Sequence, residues 1–397
     1  MNYIVFPEDL DIRRGGPSGY IANLERGITD LKNKTNIEII SSSQGLKSID
    51  EKSNFKRFAE KFIGKSKLLT ESYYLYKFLR KDRMANINEK LSSVTFESND
   101  IIHVHSVLDY YSLSKKGILG KIVLTPHTPE SIATEITNMI RLKFNSNMEL
   151  NKLLGKIKKV ERYAFQECEY FIFPSKEAMS IYSEFVEGFD EYINNKKVYF
   201  NLTGCNKLKS KLDKIEFRKR YNIPEKAFLI SYVGRHSKIK GYDILLDVAN
   251  ELKRIDPNIY IVTAGSGGIR SNSENQNLIE IGWTDDPGSV INSSDLFLLP
   301  NRNTYFDLAL LEVLSIGTPV LASRTGGNIS VGKLTNGIRL FENGNIDEII
   351  RIILSLKDNP ELLGGMKADN IRCYNENFTI TKFAERYLKI LQEISSI

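Results

Sequence analysis

The chain alternates short runs of β-branched and aromatic residues with stretches of helical periodicity from one end to the other. The runs are apolar, four to seven residues long, and followed by loops rich in glycine and polar residues. Strands separated by helices form βαβ units, whose parallel sheets are covered by helices on both faces. The alternation therefore predicts an α/β protein with parallel sheets. Eight runs are predicted to be strands: 3–6, 101–105, 121–125, 170–174, 229–234, 259–265, 295–300 and 318–323.

The length of the chain suits two domains rather than one. A single hydrophobic core rarely serves 397 residues, because domains commonly hold about 100–200 residues each. Hydrophobic residues make up 41% of the sequence and charged residues 26%, which is typical of a globular protein and excludes a disordered chain. The stretch NLTGCNKLKSKLDK is polar and weakly periodic, so it places a domain boundary near residues 200–215.

Cysteine usage and the lack of targeting segments indicate a cytoplasmic protein. Cys168, Cys205 and Cys373 are far apart and form no CxxC pair, so neither a disulfide framework nor a zinc site is expected. The chain opens MNYIVFPEDL, which lacks the basic start and apolar run of a secretory signal. No stretch approaches the roughly 18–20 apolar residues of a membrane span. We therefore expect a cytoplasmic protein, with attachment to the inner face of the cell membrane as the alternative.

The net positive charge of the chain is concentrated in one segment. The sequence holds 55 basic and 49 acidic residues, and residues 51–90 alone hold eleven basic and five acidic ones. A nucleic-acid binder spreads its basic surface over a domain, so we expect no nucleic-acid partner. Phe55, Phe58 and Phe62 recur at helical spacing among the lysines and arginines of this segment. Two interpretations stay open: a basic helix that lies on an anionic membrane surface, or a solvated helix whose aromatic stripe belongs to the core.

The first loop with the composition of a ligand site is RRGGPSG, residues 13–19. Its glycines allow close backbone approach, and the N–H groups of the helix that follows can bind a phosphate. An ordinary tight turn explains the same residues equally well. The dinucleotide-binding GxGxxG pattern is absent, so an oxidoreductase of the Rossmann type is not supported. Asp9 and Asp11 precede the loop as a DxD pair, but two acids in a polar loop are common and we expect no metal ion.

Two later loops carry the charges that a diphosphate ligand requires. In VGRHSKIKGYDILL, a strand ends before Arg235 and Lys240, and a helix begins just after them. Two cations over a helix start can clamp a diphosphate, although solvated cations on a surface turn have the same pattern. In NRNTYFDLALLEVLSIGTPVLAS, a helix is predicted from about Asp307 to Ile316, and Glu312 is the only acid inside it. A buried carboxylate needs a partner, either a ligand hydroxyl or a hydrogen bond to a neighbouring strand.

Segments spread over nearly the whole chain carry a family resemblance. In the first half they are the GG loop, HVH, TPHT and ERYAFQECEYFIFPS. In the second half they are VGRHSKIKGYDILL, AGSG, IGW and FDLALLEVLSIGTPVLAS. In this order and with this spacing, the chain resembles the retaining GT-B glycosyltransferases of family 4, which transfer sugars from nucleotide donors.

The resemblance implies a GT-B fold, in which two Rossmann-like domains with parallel sheets face each other across a cleft. Residues 1–205 would bind the acceptor, residues 206–375 the nucleotide sugar, and a helix within 376–397 would cross back to the first domain. It also implies transfer of a hexose-type sugar, most often from a UDP donor, to a hydroxyl of a glycan, glycolipid or glycoprotein in surface polysaccharide or glycan synthesis. The anomeric configuration would be retained, and neither a cofactor nor a metal would take part.

Residue by residue, the resemblance assigns roles on both sides of the cleft. His105 matches the active-site histidine beside the transferred sugar, and Arg235 and Lys240 match the pair that neutralises the diphosphate. His127 and Ser18 would line the acceptor side, and a structural turn is the alternative for His127. The implied donor-binding residues are Gly16, Pro17, Arg235, Lys240, Trp283, Thr304, Phe306, Asp307, Leu308 and Glu312.

The sequence departs from the family pattern next to the donor site. Glu312 matches the second glutamate of the family's Glu-x7-Glu motif, which grips the ribose, but the first falls at Thr304. Asp307 replaces the usual glycine of E-P-F-G-L, and Thr304 and Asp307 together resemble a capping box at the helix start. Either Asp307 contacts a hydroxyl of the transferred sugar in place of the missing glutamate, or the site is weakened. Trp283 either borders the base of the donor or packs in the protein core. For the whole protein, the alternative function is that of a catalytically silent scaffold subunit.

Overall fold

A computed structural model describes residues 1–10, 16–31, 36–42, 63–64, 66–80, 83–271 and 275–397. Its described strands form two sheets of six strands each, and every strand pair in both sheets is parallel. The predicted class, α/β with two Rossmann-like domains in a GT-B arrangement, is therefore confirmed.

The first sheet has the strand order β2-β1-β3-β4-β5-β6. These strands are β1 (Asn2–Phe6), β2 (Ile37–Ser41), β3 (Ile101–Val104), β4 (Lys121–Leu124), β5 (Tyr170–Phe173) and β6 (Lys197–Phe200). The helices described in this half are α1 (Gly16–Asp30), α2 (Lys67–Arg80), α3 (Asn88–Ser92), α4 (Val107–Lys115), α5 (Ile132–Phe144), α6 (Asn151–Glu167), α7 (Lys176–Ser180) and α8 (Phe189–Asn194). Two 3₁₀ turns, Ala85–Ile87 and Ile181–Glu184, lie between them.

The second sheet has the strand order β12-β11-β10-β7-β8-β9. These strands are β7 (Phe228–Val233), β8 (Ile259–Ala264), β9 (Leu278–Gly282), β10 (Leu296–Leu299), β11 (Val320–Ser323) and β12 (Ile338–Phe341). The helices described in this half are α9 (Lys214–Arg220), α10 (Tyr242–Ile255), α11 (Pro287–Asn292), α12 (Leu308–Ile316), α13 (Gly326–Gly332), α14 (Ile346–Lys357), α15 (Pro360–Asn377) and α16 (Ile380–Ser395).

The eight predicted strands are all present, and the four strands that the sequence did not predict are the edges of the two sheets. β2 and β6 border the first sheet, and β9 and β12 border the second. Central strands of a parallel sheet are covered on both faces, which requires continuous apolar runs such as the fully buried β5 and β10. Edge strands are half-exposed, as in β6 and β9, so their sequences mix polar and apolar residues and resemble loops.

The chain crosses between the two sheets twice, and the two crossings are hydrogen-bonded to each other. The backbone N–H of Cys205 donates to the carbonyl of Phe378 at 2.9 Å, and the Tyr374 hydroxyl donates to the carbonyl of Cys205 at 2.9 Å. Arg386 donates to the carbonyls of Leu202 at 2.6 Å and Asn377 at 2.8 Å. The last helix, α16, thereby returns to the first sheet, where it packs on α1 and β3.

The carboxyl edges of the two sheets face each other. Asn303, after β10, donates from Nδ2 to the carbonyl of Pro129, after β4, at 2.6 Å. Ser330 of α13 donates to Glu177 Oε2 of α7 at 2.6 Å, and its hydroxyl lies 2.6 Å from that of Ser175. All of these residues follow the carboxyl ends of strands, so the space between the sheets is lined by the loops in which α/β proteins bind ligands.

We predict that the contact between α1 and α16 tolerates no side chain at Gly27. An added Cβ would lie 2.2 Å from the carbonyl oxygen of Ile380, so Gly27→Ala should lower the free energy of unfolding by about 1–3 kcal/mol. Gly155 on α6 is the matched control, because an added Cβ there meets nothing within 4 Å. Gly155→Ala should be neutral or stabilising by up to about 1 kcal/mol through helix propensity. Urea denaturation followed by circular dichroism measures both, and equal shifts in the two variants would contradict the prediction.

Candidate active site

The first wall of the cleft consists of loops that follow β1, β3 and β4. These strands are neighbours in the first sheet, so their carboxyl ends meet at one place. The loops carry Gly16, His105 and His127, three residues that the sequence placed in the site. Their sequence separation is large, and the strand order alone brings them together.

Gly16 opens α1 at a position where the backbone requires glycine and the space is open. Its φ is +54°, and an added Cβ would meet no atom within 4 Å. Pro17 is half-buried in the first helical turn, which proline favours. Ser18 is 6% exposed and donates its hydroxyl to the carbonyl of Asp9 at 3.3 Å, so it offers little surface to an acceptor. The preceding residues 13–15 lie outside the described part of the chain.

Three histidines lie together behind this wall. The ring centroids of His103 and His105 are 4.2 Å apart, and those of His105 and His127 are 5.3 Å apart. Burial lowers the pKa of His103 and of His127 to about 3, and it lowers the pKa of His105 well below its usual value. The three rings are therefore neutral at pH 7.

The tautomer of His103 follows from its partners. Thr125 donates its single hydroxyl hydrogen to the carbonyl of Ile172 at 2.8 Å, so its oxygen accepts from His103 Nε2 at 2.8 Å. His103 Nδ1 then accepts from the Tyr387 hydroxyl at 2.9 Å. His103 is thus a fully hydrogen-bonded core residue that joins β3, β4 and α16.

The structure places His127, rather than His105, at the surface of the cleft. His105 is 1% exposed, whereas His127 is half-buried and its ring centroid lies 6.1 Å from that of Tyr305 in the second domain. His105 Nδ1 lies 3.1 Å from His127 Nε2, so one ring donates to the other. The sequence assigned contact with the transferred sugar to His105, and that role stays a prediction; the hydrogen bond between the rings makes His105 a residue that also holds the ring of His127.

The second wall consists of loops that follow β7 and β10, which are neighbours in the second sheet. Arg235 follows β7 after one residue and is exposed. Lys240 precedes Gly241, whose φ is +66° and whose added Cβ would lie 1.7 Å from the carbonyl oxygen of Pro300. Only glycine fits this close approach, which brings Lys240 beside the loop that follows β10.

Lys240 and Asp307 form a half-buried ion pair in that loop. Lys240 Nζ lies 2.6 Å from Asp307 Oδ2, and Asn301 donates from Nδ2 to the same oxygen at 2.8 Å. Burial acts to raise the pKa of Asp307, but the charge and hydrogen bond of Lys240 outweigh it and the pKa is lowered. The carboxylate is therefore ionised at pH 7. An ammonium group has three donors, so Lys240 retains the capacity to bind a further anion.

Asp307, rather than Thr304, is the N-cap of α12. Its Oδ1 accepts from the backbone N–H of Ala309 at 3.2 Å, and the helix runs from Leu308 to Ile316. The capping-box interpretation is wrong, because in that motif Thr304 would be the cap and Asp307 the third helical residue. Thr304 is instead 3% exposed, with its carbonyl against Gly326.

Glu312 lies on α12 without a partner among the described residues. No hydrogen bond from them reaches its carboxylate, so the bond to a neighbouring strand that the sequence left open does not form. Burial, helped by the Asp307 charge, raises the pKa of Glu312 to about 7. A half-buried carboxyl group that is less hydrated than an exposed one and gains no donor from the described residues is suited to a ligand hydroxyl.

The remaining predicted donor residues differ in exposure. Trp283 follows β9 and is 73% exposed, so packing in the core, its alternative role, is wrong. Phe306 is half-buried between the cores of both domains, with its ring centroid 6.4 Å from that of Phe378. Leu308 is half-buried in the second domain. Arg235 approaches Glu135 of the first domain, where burial raises the pKa of Glu135 and the arginine charge opposes that rise.

The chain is similar in sequence to known glycosyltransferases. Residues 213–371 match the family model "Glycosyl transferases group 1". The O-antigen biosynthesis glycosyltransferase WclY of Escherichia coli is 26% identical over 189 residues, which are 46% of this chain and 51% of that protein. The N-acetyl-alpha-D-glucosaminyl L-malate synthase of Bacillus anthracis is 23% identical over 325 residues, 77% of this chain and 78% of the relative.

A solved structure matches over almost the whole chain. Anabaena HepE in complex with UDP and glucose has a TM-score of 0.64 at 12% identity, covering 98% of this chain and 99% of that one. The chain is therefore similar to the GT-B glycosyltransferases of the family 4 (glycosyl transferases group 1) type, with the family match over residues 213–371 and the fold match over almost the whole chain. The stretch matched to the O-antigen enzyme spans about half of that relative's length.

Two residues that line the candidate site were not predicted from the sequence. Asn301 follows β10 after Pro300 and holds Asp307, and its position at a strand's carboxyl end was a usable signal. Tyr305 belongs to the second domain but is 6% exposed within the core of the first, with its ring centroid 5.9 Å from that of Tyr182. No local pattern marks such a residue, because its burial depends on how the two domains meet.

Two predictions of the sequence analysis stay open. Phe55, Phe58 and Phe62, the aromatic stripe of the basic segment, lie outside the described residues. Within the described ranges, no three His, Cys, Asp or Glu side chains are grouped as ligands of a metal ion, and metal independence stays a prediction. No described helix is long and apolar enough to span a membrane.

We predict that Glu312 makes the stability of the protein pH-dependent. Its pKa is about 7 in the folded chain and near 4.3 when unfolded. Between these values the folded state holds a proton that the unfolded state releases, so stability falls as pH rises from about 4.5 to about 7. The Glu312→Gln variant does not lose stability in this way. Its free energy of unfolding should therefore exceed that of wild type by an amount that grows across that window to on the order of 1–2 kcal/mol.

Melting temperatures of both proteins between pH 4 and 8 measure this difference. Glu376→Gln, an exposed glutamate on α15, is the matched control and should track wild type at every pH. A constant gap between Glu312→Gln and wild type from pH 4 to 8 would count against a titrating Glu312.

Proposed function

We propose that this glycosyltransferase moves a hexose-type sugar from a UDP-sugar donor to a hydroxyl of a glycan, glycolipid or glycoprotein acceptor in surface polysaccharide or glycan synthesis. The observation that carries the proposal is the convergence of Arg235, Lys240 and the start of α12 opposite Gly16 and His127. A departing nucleoside diphosphate develops negative charge on its β-phosphate, and cations and N–H groups held in a cleft stabilise that charge.

The proposed donor site uses two parts of α12, its start and the position of Glu312. The helix start and Lys240 would hold the diphosphate, while Glu312, further along the helix, would accept hydrogen bonds from the ribose hydroxyls. The missing partner of the Glu312 carboxylate supports this role, and so does its fit to the second glutamate of the family motif. Trp283, exposed beside the AGSG turn, would border the base. The family's preference supports uridine.

The chemistry that we propose for the first domain is positioning rather than nucleophilic attack. His127 is neutral and half-buried, so it can donate or accept one hydrogen bond at the transferred sugar. Asp307 is engaged by Lys240, Asn301 and the backbone of Ala309, which argues against its acting as a nucleophile. Retention then follows the front-face course that the resemblance implies, in which the leaving phosphate accepts the proton of the acceptor hydroxyl. The site would work without a metal ion or cofactor.

Asp307 has a second proposed role, as the counter-ion that keeps Lys240 in place before the donor binds. When phosphate oxygens approach the ammonium group, the Asp307 carboxylate can turn toward a hydroxyl of the transferred sugar. In this role Asp307 takes the place of the first glutamate of the family motif, whose position is held by Thr304. A catalytically silent scaffold subunit is not favoured, because such a subunit has no need of a paired Lys240 and an unpartnered Glu312.

Donor binding and turnover by the purified chain test the proposal. A thermal-shift panel of nucleoside diphosphates should single out UDP, which at 100 times its Kd raises stability by about 2.7 kcal/mol. With UDP-hexose, the chain should release UDP, and NMR of a transfer product should show the anomeric configuration of the donor. If no nucleotide stabilised the chain and no nucleotide sugar released its nucleoside diphosphate, a transferase function would be refuted.

Alanine variants separate the proposed catalytic residues from their neighbours. Lys240→Ala should reduce turnover by about two orders of magnitude or more, because it removes charge stabilisation in the transition state. Lys238→Ala is the matched control in the same loop, where the side chain is exposed, and it should turn over as wild type does.

Asp307→Ala should also reduce turnover at saturating donor, whereas Thr304→Ala, at a side chain with 3% exposure, should not. Initial rates measure all four variants. Unchanged turnover in Lys240→Ala would remove the charge clamp from the mechanism.

A further inference from the structure

Tyr305 belongs to the second domain by its place in the chain, but its side chain lies in the core of the first. It is 6% exposed and is part of the buried apolar cluster of the first domain. Its ring lies 5.9 Å from that of Tyr182, with 82° between the ring planes, and 6.1 Å from that of His127, with 72° between the planes. Both contacts have the edge-to-face geometry that aromatic pairs prefer. The ring therefore joins the two domains by packing.

The hydroxyl of Tyr305 takes no part in this contact. It is buried and makes no hydrogen bond to a described residue, although buried hydroxyls normally have a partner. Burial raises the pKa of the phenol well above its usual value, so the side chain is neutral at pH 7. The attachment of Tyr305 to the first domain thus depends on the shape and apolar surface of its ring.

The backbone around Tyr305 is fixed within the second domain. Arg302, three residues earlier, donates from its two terminal guanidinium nitrogens to the carboxylate of Asp243 on α10, at 2.5 and 2.8 Å. The carbonyl of Tyr305 accepts from the backbone N–H of Gly327 at 3.0 Å. The loop therefore cannot shift relative to the second domain without breaking these bonds.

The same stretch of backbone carries the charge pair of the candidate site. One residue separates Tyr305 from Asp307, which caps α12. Asp307 is held in turn by Lys240 and Asn301. The other side of the Tyr305 ring lies against His127, in the opposite wall of the cleft. The seat of the ring in the first domain thus determines the gap between His127 and the Lys240–Asp307 pair.

Polar contacts between the domains accompany the ring. Asn303 donates to the carbonyl of Pro129 at 2.6 Å, and Ser330 donates to Glu177 at 2.6 Å. Lys333 also pairs with Glu177, but it is 64% exposed, and exposed ion pairs contribute little to stability. If the domains separated, water could replace these polar bonds, whereas the ring would lose its apolar contacts. Removal of the ring should therefore disturb the domain contact more than loss of the exposed pair.

We propose that Tyr305 is a positioning residue for sugar transfer, whose ring sets the gap between His127 and the Lys240–Asp307 pair by its insertion into the first domain. The effect on transfer rests on the proposed function, whereas the effect on the domain arrangement does not. The second domain supplies Lys240, Glu312 and the start of α12 to the proposed nucleotide site. Binding of UDP therefore depends on the ring less than turnover does, because turnover needs both walls.

Two substitutions separate the ring from its hydroxyl. Turnover is measured with UDP-glucose, UDP-galactose and UDP-N-acetylglucosamine as donors. In Tyr305→Ala, kcat should fall by about 10–100-fold, the loss that a displacement of about 1 Å causes, while KM for the donor stays within about threefold. Isothermal titration calorimetry should show that UDP binds this variant within about threefold of the wild-type Kd, which also verifies that it is folded.

Tyr305→Phe keeps the ring and removes the unpartnered hydroxyl, so its kcat should stay within about twofold of wild type. An equal loss of kcat in Tyr305→Phe and Tyr305→Ala would overturn the proposal, since the hydroxyl rather than the ring would then matter. Unchanged kcat in Tyr305→Ala would overturn it as well.

A variant in a different core controls for loss of stability alone. Phe217 is 2% exposed and lies in a separate buried cluster of the second domain. Phe217→Leu should lower the melting temperature but keep kcat within about twofold of wild type when it is assayed well below that temperature. If Phe217→Leu lost as much turnover as Tyr305→Ala, the effect would be one of stability and the positioning role would be rejected.

Small-angle X-ray scattering of the nucleotide-free proteins measures the domain arrangement directly. The radius of gyration should be the same in wild type and Tyr305→Phe, and about 1 Å or more larger in Tyr305→Ala, because without the ring the domains move apart. If these radii were found but wild type turned over no donor, the domain contact of Tyr305 would stand and the transferase function would fail. If wild type turned over a donor and Tyr305→Ala matched it in kcat and radius, the function would stand and the role of Tyr305 would fail.

Discussion

Both sheets of this protein are wholly parallel, and the remaining architecture depends on that constraint. Each strand must be followed by a helix or long crossover, so all strand-to-helix loops leave one edge of each sheet. When the two edges face each other, as the bonds from Asn303 to Pro129 and from Ser330 to Glu177 show, every such loop borders one space. The facing edges alone therefore bring segments that are distant in the sequence into one site.

Within that space, the described side chains pair or neutralise most of their charges. Lys240 is paired with Asp307, and Asp307 is held further by Asn301 and by the helix that it caps. The three histidines avoid charge altogether, because burial lowers their pKa values. Glu312 has no such partner, and its pKa near 7 is the physical consequence. Proton uptake compensates there for what a ligand hydroxyl would supply.

Local sequence predicted those parts of the fold that are apolar on every side. The eight central strands were visible because a strand covered on both faces must be hydrophobic throughout, as β5 and β10 are. The edge strands β2, β6, β9 and β12 were missed because half-exposed strands carry polar residues. The start of α12 was placed within one residue, yet its cap was assigned to Thr304 instead of Asp307. Either residue can cap a helix, and only the backbone path selects one.

The sequence by itself determined the α/β class, and it predicted the family resemblance and the roles of Arg235, Lys240 and Glu312, because strand periodicity and charged positions are local properties. Tertiary structure alone decided which side chains reach the cleft. His105 and His127 follow adjacent strands and look equivalent in sequence, but packing buries His105 at 1% exposure and leaves His127 at the surface. Likewise, the lining of a cavity in the first domain draws on six separate segments. Their meeting depends on helix packing, which no local pattern encodes.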